Sequence, residues 1–241
     1  TGTAVLTPLG NSVPKLFEAL IAKDSGLTWF DCGEEEDRSA VGAVADSLIE
    51  VNGFPPRVRR HADRSALLAL TVVSQLLHDI GITQATESNQ ETFGVAGTRV
   101  GVVWGSSSGT PSVTQKAFSA FNNGGKQTLK RKSPLSGVYS SPSATSAMIA
   151  EIIGARGPNI TINTECASST TAVALASMIV ESGMADIVIC GGSDSTLDAF
   201  SLAQVNLLGA THSTKHKFPS QCSRPFDLDR SGFVAAEGAS A

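Results

Sequence analysis

Residues 159–192, NITINTECASSTTAVALASMIVESGMADIVICGG, decide the fold. Ile160, Ile162 and Thr164 alternate with Asn159, Thr161 and Asn163, the period of a strand. Cys166 stands where that strand runs out. Ala167, Ser168, Ser169 and Thr170 follow, and small hydroxyl residues favour a helix start. Residues 171–180 are apolar on nearly every side, which predicts a buried helix. Glu181, Ser182 and Gly183 stop it, glycine being the usual residue past a helix C-terminus. Ile187, Val188, Ile189 and Cys190 then form a short continuous apolar run, as in an interior parallel strand. Strand, cysteine, helix and strand in this order place the chain in the α/β class.

The order also has a chemical meaning. A cysteine at a helix N-terminus lies in the positive end of the macrodipole. Its pKa is expected to fall there and its thiolate fraction to rise at neutral pH. A thiolate accepts acyl groups, and the thioester can pass them on. Backbone N–H groups at the same place can stabilise a developing oxyanion. A cysteine is equally at home as a small buried hydrophobe, and the stretch alone leaves both readings open.

The rest of the composition narrows the class. The chain has 241 residues, 41% hydrophobic and 17% charged, enough for one large globular domain or two small ones. A net charge of −4 excludes a wholly basic nucleic-acid binder, and 5% aromatics leave few base-stacking platforms. The apolar helix is too short to span a bilayer, so no membrane partner is expected. Cys32, Cys166, Cys190 and Cys222 stand far apart with no zinc or C-x-x-C spacing. Reduced thiols in a reducing compartment are therefore expected, with no metal and no cofactor. The sequence starts at Thr1 without Met and stops at Ala241, so both ends look cut and a targeting segment cannot be read.

In chain order, residues 3–9 read as a strand broken at Pro8 and Gly10. Asn11 and Ser12 can cap a helix over 13–22, with Leu16, Phe17, Leu20 and Ile21 on one face. Glu34, Glu35, Glu36 and Asp37 mark residues 30–46 as a solvated loop. A helix over 63–78 would bury Leu67, Leu68, Leu70, Val73, Leu76 and Leu77. Residues 86–92 are polar and loop-like, and 100–104 form a buried strand. Helices are expected over 142–153 and 193–208, and Phe233 and Val234 begin a last strand. No internal repeat is present.

Four features compete for function. Arg57, Arg59, Arg60 and Arg64 make either a solvated face or a docking patch for an acidic partner. Gly105-Ser106-Ser107-Ser108-Gly109 follows a strand and satisfies the G-x-S-x-G elbow of a serine hydrolase, with Asp194 and His212 in the required order. Against it, Pro111 falls in what should be the first helical turn. Lys126, Lys130, Arg131 and Lys132 form a second basic cluster in a glycine-flanked loop that matches no phosphate-binding motif. His212 and His216 are four apart, without a third metal ligand nearby in sequence.

Taken together, the residues resemble the N-terminal half of a β-ketoacyl-[acyl-carrier-protein] synthase, one of the thiolase-like condensing enzymes. The resemblance is carried by Thr7-Pro8-Leu9-Gly10-Asn11, by Gly157-Pro158 leading to Cys166-Ala167-Ser168-Ser169, and by Ala185-Asp186 to Cys190-Gly191-Gly192. It is completed by Ser223-Arg224-Pro225-Phe226-Asp227, Asp229-Arg230, Gly232-Phe233-Val234 and Glu237-Gly238-Ala239. It covers residues 1–241 as one N-terminal synthase domain and implies an α/β fold layered α-β-α-β-α, of which this is the N-terminal half. The last signature is not shared by degradative thiolases.

The resemblance implies that Cys166 takes an acyl group from an acyl carrier protein. A malonyl-carrier substrate then loses carbon dioxide, and its carbanion attacks the thioester in fatty-acid or polyketide elongation. It further implies that Ser108 lines the acyl pocket, that Met148 lies near the pocket and a homodimer interface, and that Arg59, Arg60 and Arg64 face the carrier protein. Glu165 stands where the family has a small residue, and a carboxylate there would oppose thiolate formation unless strand alternation turns it away. Ala236 replaces a usual glycine. The family's two catalytic His and its Lys lie in a C-terminal half, and His61, His78, His212 and His216 match none of those motifs. This half alone is therefore not expected to condense. A non-catalytic partner of an active sister subunit, and a Ser107 hydrolase, are the rival readings.

Overall fold

The structure, a computed structural model, describes residues 1–31, 38–50, 53–82, 93–212 and 216–241. In chain order its elements are β1 (Val5–Leu6), α1 (Val13–Ala22), β2 (Leu27–Asp31), β3 (Arg38–Gly42), α2 (Pro56–His61) and α3 (Arg64–Asp79). Then follow β4 (Val100–Gly105), α4 (Pro111–Asn122), α5 (Gly125–Lys132), α6 (Ser136–Tyr139), α7 (Ala144–Ile153) and β5 (Asn159–Ile162). The chain closes with α8 (Ser168–Glu181), β6 (Ile187–Asp194), α9 (Ala199–Leu207), β7 (Ala235–Ala236) and β8 (Gly238–Ser240).

The main sheet has five strands in the order β1-β8-β6-β4-β5. β4 pairs in parallel with both β5 and β6, while β8 runs antiparallel to β6 and β1. β4 is buried along its whole length, as an all-apolar strand between two layers must be. Its alternation divides the core. Val100, Val102 and Trp104 join the cluster made with α3 and α7, whereas Val103 packs with Ala172, Ala176 and Ile179 of α8. The fully buried Trp104 donates its indole N–H to Ser193 Oγ at 3.0 Å, so the ring leaves no unpaired donor. At the other end of β4, Arg99 bonds Asp186 and the Gly183 carbonyl, tying the strand to the turn that feeds β6. That guanidinium holds the Asp186 carboxyl below the usual carboxylate range.

Several sequence expectations change. The first strand is two residues long. The acidic run does not make 30–46 a loop: β2 and β3 pair as an antiparallel hairpin, and β7 adds in parallel to β3. Residues 34–37 and the 86–92 loop lie outside the described residues, as does Cys32. The second basic cluster is a helix, α5, rather than a loop. β6 runs on to Asp194, so the next helix starts at Ala199. The last strand begins at Ala235, and Phe233 makes an isolated bridge with Thr211. Leu67 is only partly buried in α3.

The largest change concerns α8, which is not buried all round. One stripe, Ala172, Ala176 and Ile179, faces the sheet, while Val173 is 54% and Met178 63% exposed. A single sheet covers a single stripe of a helix, whatever the composition of the other faces. α1 shows the same pattern more strongly. It is capped by Ser12 as expected, yet none of its residues is buried, and Phe17, Leu20 and Ile21 are exposed. Among the described residues, no helix is long and apolar enough to cross a membrane.

Candidate functional site

Cys166 sits on the elbow between β5 and α8. Glu165 just before it is left-handed, with φ 53°, so the chain reverses sharply at the nucleophile. For a residue with a Cβ that conformation costs about 1–2 kcal/mol, and it persists only where neighbours hold it. Here Ser168 supplies the hold. Its Oγ accepts from the Thr164 N–H at 3.0 Å and donates to the Glu165 carbonyl at 2.6 Å. Thr164 Oγ1 and Thr171 Oγ1 lie 3.0 Å apart, adding a second tie across the first turn. Glu165 is therefore not on a strand, and its placement comes from the turn rather than from alternation.

Cys166 is exposed, while Cys190 is half-buried and Cys222 buried, all three as thiols. Burial pushes the Cys190 and Cys222 thiols up from their ordinary value. Alkylation at neutral pH is accordingly expected to mark Cys166 well before either of them, checked by peptide mapping after a limiting dose of iodoacetamide. Faster labelling of Cys190 than of Cys166 would refute this order.

α8 can start so close to the sheet because Gly105 and Gly192 are partners in the β4–β6 register. A Cβ on Gly105 would fall 2.5 Å from the Ser168 carbonyl carbon, and one on Gly192 would fall 1.9 Å from Ser169 Oγ. Beside this first turn lies a cleft of about 290 Å³, whose walls include Ser169, Gly192, Asp194, Thr7 and Ser240.

The Ser106–Ser108 loop follows β4 and is tied to the end of β6. Asp194, at the end of β6, accepts from Ser106 Oγ at 2.9 Å, Ser107 N at 2.9 Å, Ser107 Oγ at 3.0 Å and Ser108 N at 2.9 Å. Ser107 and Asp194 thus meet as a hydrolase reading requires, but directly, with no imidazole between them. His212 bonds Ser231 at 2.9 Å and stacks on His216 at 5.2 Å. The N–H groups that could have served an oxyanion are already taken by a carboxylate. The loop is a carboxylate-capped turn, not an assembled triad, and Pro111 fits it well as the first residue of α4. Among the described residues, no group of three or more His, Cys, Asp or Glu is placed to hold a metal ion.

The family model described as "Beta-ketoacyl synthase, N-terminal domain" matches residues 1–241. The chain belongs to the β-ketoacyl synthase family. It is 32% identical over 244 residues to a Streptomyces cyaneus protein described as a polyketide beta-ketoacyl synthase 1, covering 99% of this chain and 56% of that one. It is 31% identical over 242 residues to the chloroplastic 3-oxoacyl-[acyl-carrier-protein] synthase II of Arabidopsis thaliana, covering 99% and 42%. A β-ketoacyl synthase from Burkholderia phymatum STM815 superimposes with a TM-score of 0.82 at 24% identity, covering 100% of this chain and 56% of that one. The chain thus spans about half the length of the curated relatives it matches. The fold is the α/β, thiolase-like fold of ketosynthases, seen here over its N-terminal half.

The remaining synthase residues named from sequence are not gathered in one place. Ser108 lies on the capped loop and is exposed. Met148 is 5% exposed in the α3–α7 core. Arg59 and Arg60 are exposed on α2. Arg57 pairs with Glu151. Arg64 differs from its neighbours, because its guanidinium bonds the buried Glu237, the Asp46 carboxylate and the Val44 carbonyl. Sequence reasoning missed the bridge made by Asn163, the hold of Asp63 on Ser112 and the Gly105–Gly192 pair. Their roles depend on strand register and loop contact, which no local pattern encodes.

Proposed function

We propose that Cys166 accepts an acyl group from an acyl carrier protein and that the chain acts in 3-oxoacyl-[acyl-carrier-protein] synthesis. The observation that carries this reading is the exposed thiol at the start of α8, on a left-handed elbow held by Ser168. Cys166 Sγ attacks the carrier thioester carbonyl, and the tetrahedral intermediate collapses with loss of the carrier thiol. A malonyl-carrier substrate then loses carbon dioxide, and the carbanion forms the new carbon–carbon bond as Cys166 leaves as thiolate. The second step needs the His pair and Lys that the resemblance assigns to a C-terminal half, so elongation is proposed for the two halves together. An intact, accessible nucleophile favours this reading over a non-catalytic partner.

Arg59 and Arg60 are proposed as the carrier-facing charges, with Arg64 fixing the segment that bears them. The test is acylation by an acyl-carrier thioester, followed by intact mass and peptide mapping. One acyl group on Cys166, removed by hydroxylamine, is expected. Charge reversal at both Arg59 and Arg60 is expected to slow transfer from the carrier by roughly tenfold, with little effect on a small acyl thioester, because charge at a docking rim acts mainly on encounter. Acylation at another residue, or none while Cys166 still alkylates, would overturn the reading.

A further inference from the structure

We propose that Asp194 is a positioning residue that sets the Cys166 elbow and the Ser108 segment in register, acting on the elbow through Ser107 and Asn163. It rests on the acyl-transfer reading only for what the register is used for. Asp194 accepts from the N–H of Ser107 at 2.9 Å. The carbonyl of Ser107 accepts from Asn163 Nδ2 at 3.0 Å. With its amide nitrogen committed there, Asn163 turns Oδ1 to the Glu165 N–H, at 3.3 Å. Glu165 is the left-handed residue that aims Cys166. Asp194 also holds the Ser108 N–H at 2.9 Å. One carboxylate thus reaches both the backbone before the nucleophile and the Ser108 segment, which the family resemblance places at the acyl pocket.

Each link has a physical reason. Consecutive N–H groups of a tight turn form a nest that favours an anion, and the Asp194 carboxylate fills it from within the chain. A loop so filled cannot rotate the Ser107–Ser108 peptide, whose N–H Asp194 holds, without stranding that donor, so the direction of the Ser107 carbonyl in the same plane is fixed as well. Asn163 is the sole side chain in the relay that reaches from loop to elbow, and it is exposed, so its loss leaves the core intact. A second carboxylate backs the loop from behind. Asp63, buried at the cap of α3, accepts from Ser112 N and Oγ at 3.0 and 2.7 Å, and Ser65 Oγ bonds the Gly109 carbonyl at 3.0 Å. The loop is therefore clamped between α3 and β6, and among the described residues Asn163 is the side chain that carries its position to Glu165.

The experiment uses the full chain with Asp194→Ala, Asn163→Ala and the double variant. Cys166 alkylation by iodoacetamide is measured against pH, and acyl transfer from a short and a long acyl N-acetylcysteamine thioester is compared. Each single variant is expected to slow Cys166 alkylation about tenfold and to alter its pH profile. The double variant is expected to be no slower than the worse single, as for residues in one network. Asp194→Ala is also expected to change the short-to-long rate ratio, which Asn163→Ala leaves nearly as it was. Unchanged alkylation in Asn163→Ala, or fully additive losses, would overturn the relay even if Asp194→Ala fails to fold. A wild-type chain that alkylates at Cys166 but takes no acyl group would sink the acyl-transfer reading, while the alkylation series still decides the relay.

Discussion

Replacing Glu237 with alanine is expected to lower stability by about 2–5 kcal/mol, since each of the two buried donors it leaves without a partner costs about 1–3 kcal/mol. The Glu237 side chain is fully buried. Its Oε1 accepts from the Val44 N–H at 2.9 Å and from Arg64 Nη2 at 2.7 Å. Its Oε2 accepts from Arg64 Nε at 2.7 Å and from Ser195 Oγ at 2.6 Å. Four pieces of structure meet on this one carboxylate: the segment after β3, the start of α3, the residue beyond β6 and the entry to β8. Alanine would strand the Val44 N–H and the Ser195 hydroxyl in a dry site. Arg64 would suffer less, since it keeps Asp46 at 2.6 Å and is partly open to water. Its pKa is pushed above the ordinary value foremost by the Glu237 hydrogen bond, against the opposing effect of burial. Glu237→Gln keeps one acceptor oxygen and is expected to lose about 1–3 kcal/mol. Urea unfolding of both variants measures this. A loss for Glu237→Ala below about 1 kcal/mol, the worth of an ordinary exposed pair, would show that the network is not structural.

The same residue shows what could be read beforehand. Glu237 was visible as a letter in a late signature, but its partners are Arg64 and Ser195, far off in sequence. The βαβ unit around Cys166 was legible because its signals are local: alternation, a run of small hydroxyl residues and a glycine stop. The extent to which α8 is covered was not, since apolar composition gives a helix's affinity for cover and not how many neighbours supply it. The β2–β3 hairpin was hidden by the acidic run beside it, and α5 by the glycines that flank it. Asp194 was read as the acid of a triad, and it does touch Ser107, yet the role reverses when it caps the turn itself. Asn163 was read as a strand residue, and the structure places it past the end of β5, free of the ladder and able to bridge two loops.

Gly105→Ala is expected to damage the Cys166 elbow more than its single methyl suggests. The backbone at Gly105 is not in the left-handed region, so conformation alone would admit alanine, and the requirement is space. The added Cβ would meet the Ser168 carbonyl carbon at 2.5 Å, its oxygen at 2.6 Å and the Ser169 nitrogen at 2.6 Å. All three are backbone atoms of the first turn of α8, so no rotamer change relieves the contact. Either the helix start lifts off the sheet or β4 bends, and strain of this kind costs about 1–3 kcal/mol. The lift also breaks the Ser168 ties to Thr164 and Glu165, which share that turn. A misplacement of about 1 Å at a reacting centre can cost about a hundredfold in rate, so Cys166 acylation should fall by that order. Gly192→Ala supplies the control. Its closest obstacle is Ser169 Oγ at 1.9 Å, the tip of a side chain that can swing aside, while the fixed neighbours, the Gly105 carbonyl and Ser169 Cβ, stand at 2.9 Å and ask for a smaller shift than the 2.5–2.6 Å backbone contacts at Gly105. The two variants should therefore separate when alkylation rate and unfolding free energy are plotted together. Gly105→Ala should lose more reactivity per unit of stability than Gly192→Ala. If both fall on one line, the paired glycines serve packing in general, and the seat of the nucleophile must be sought in the hydrogen bonds of Ser168 instead.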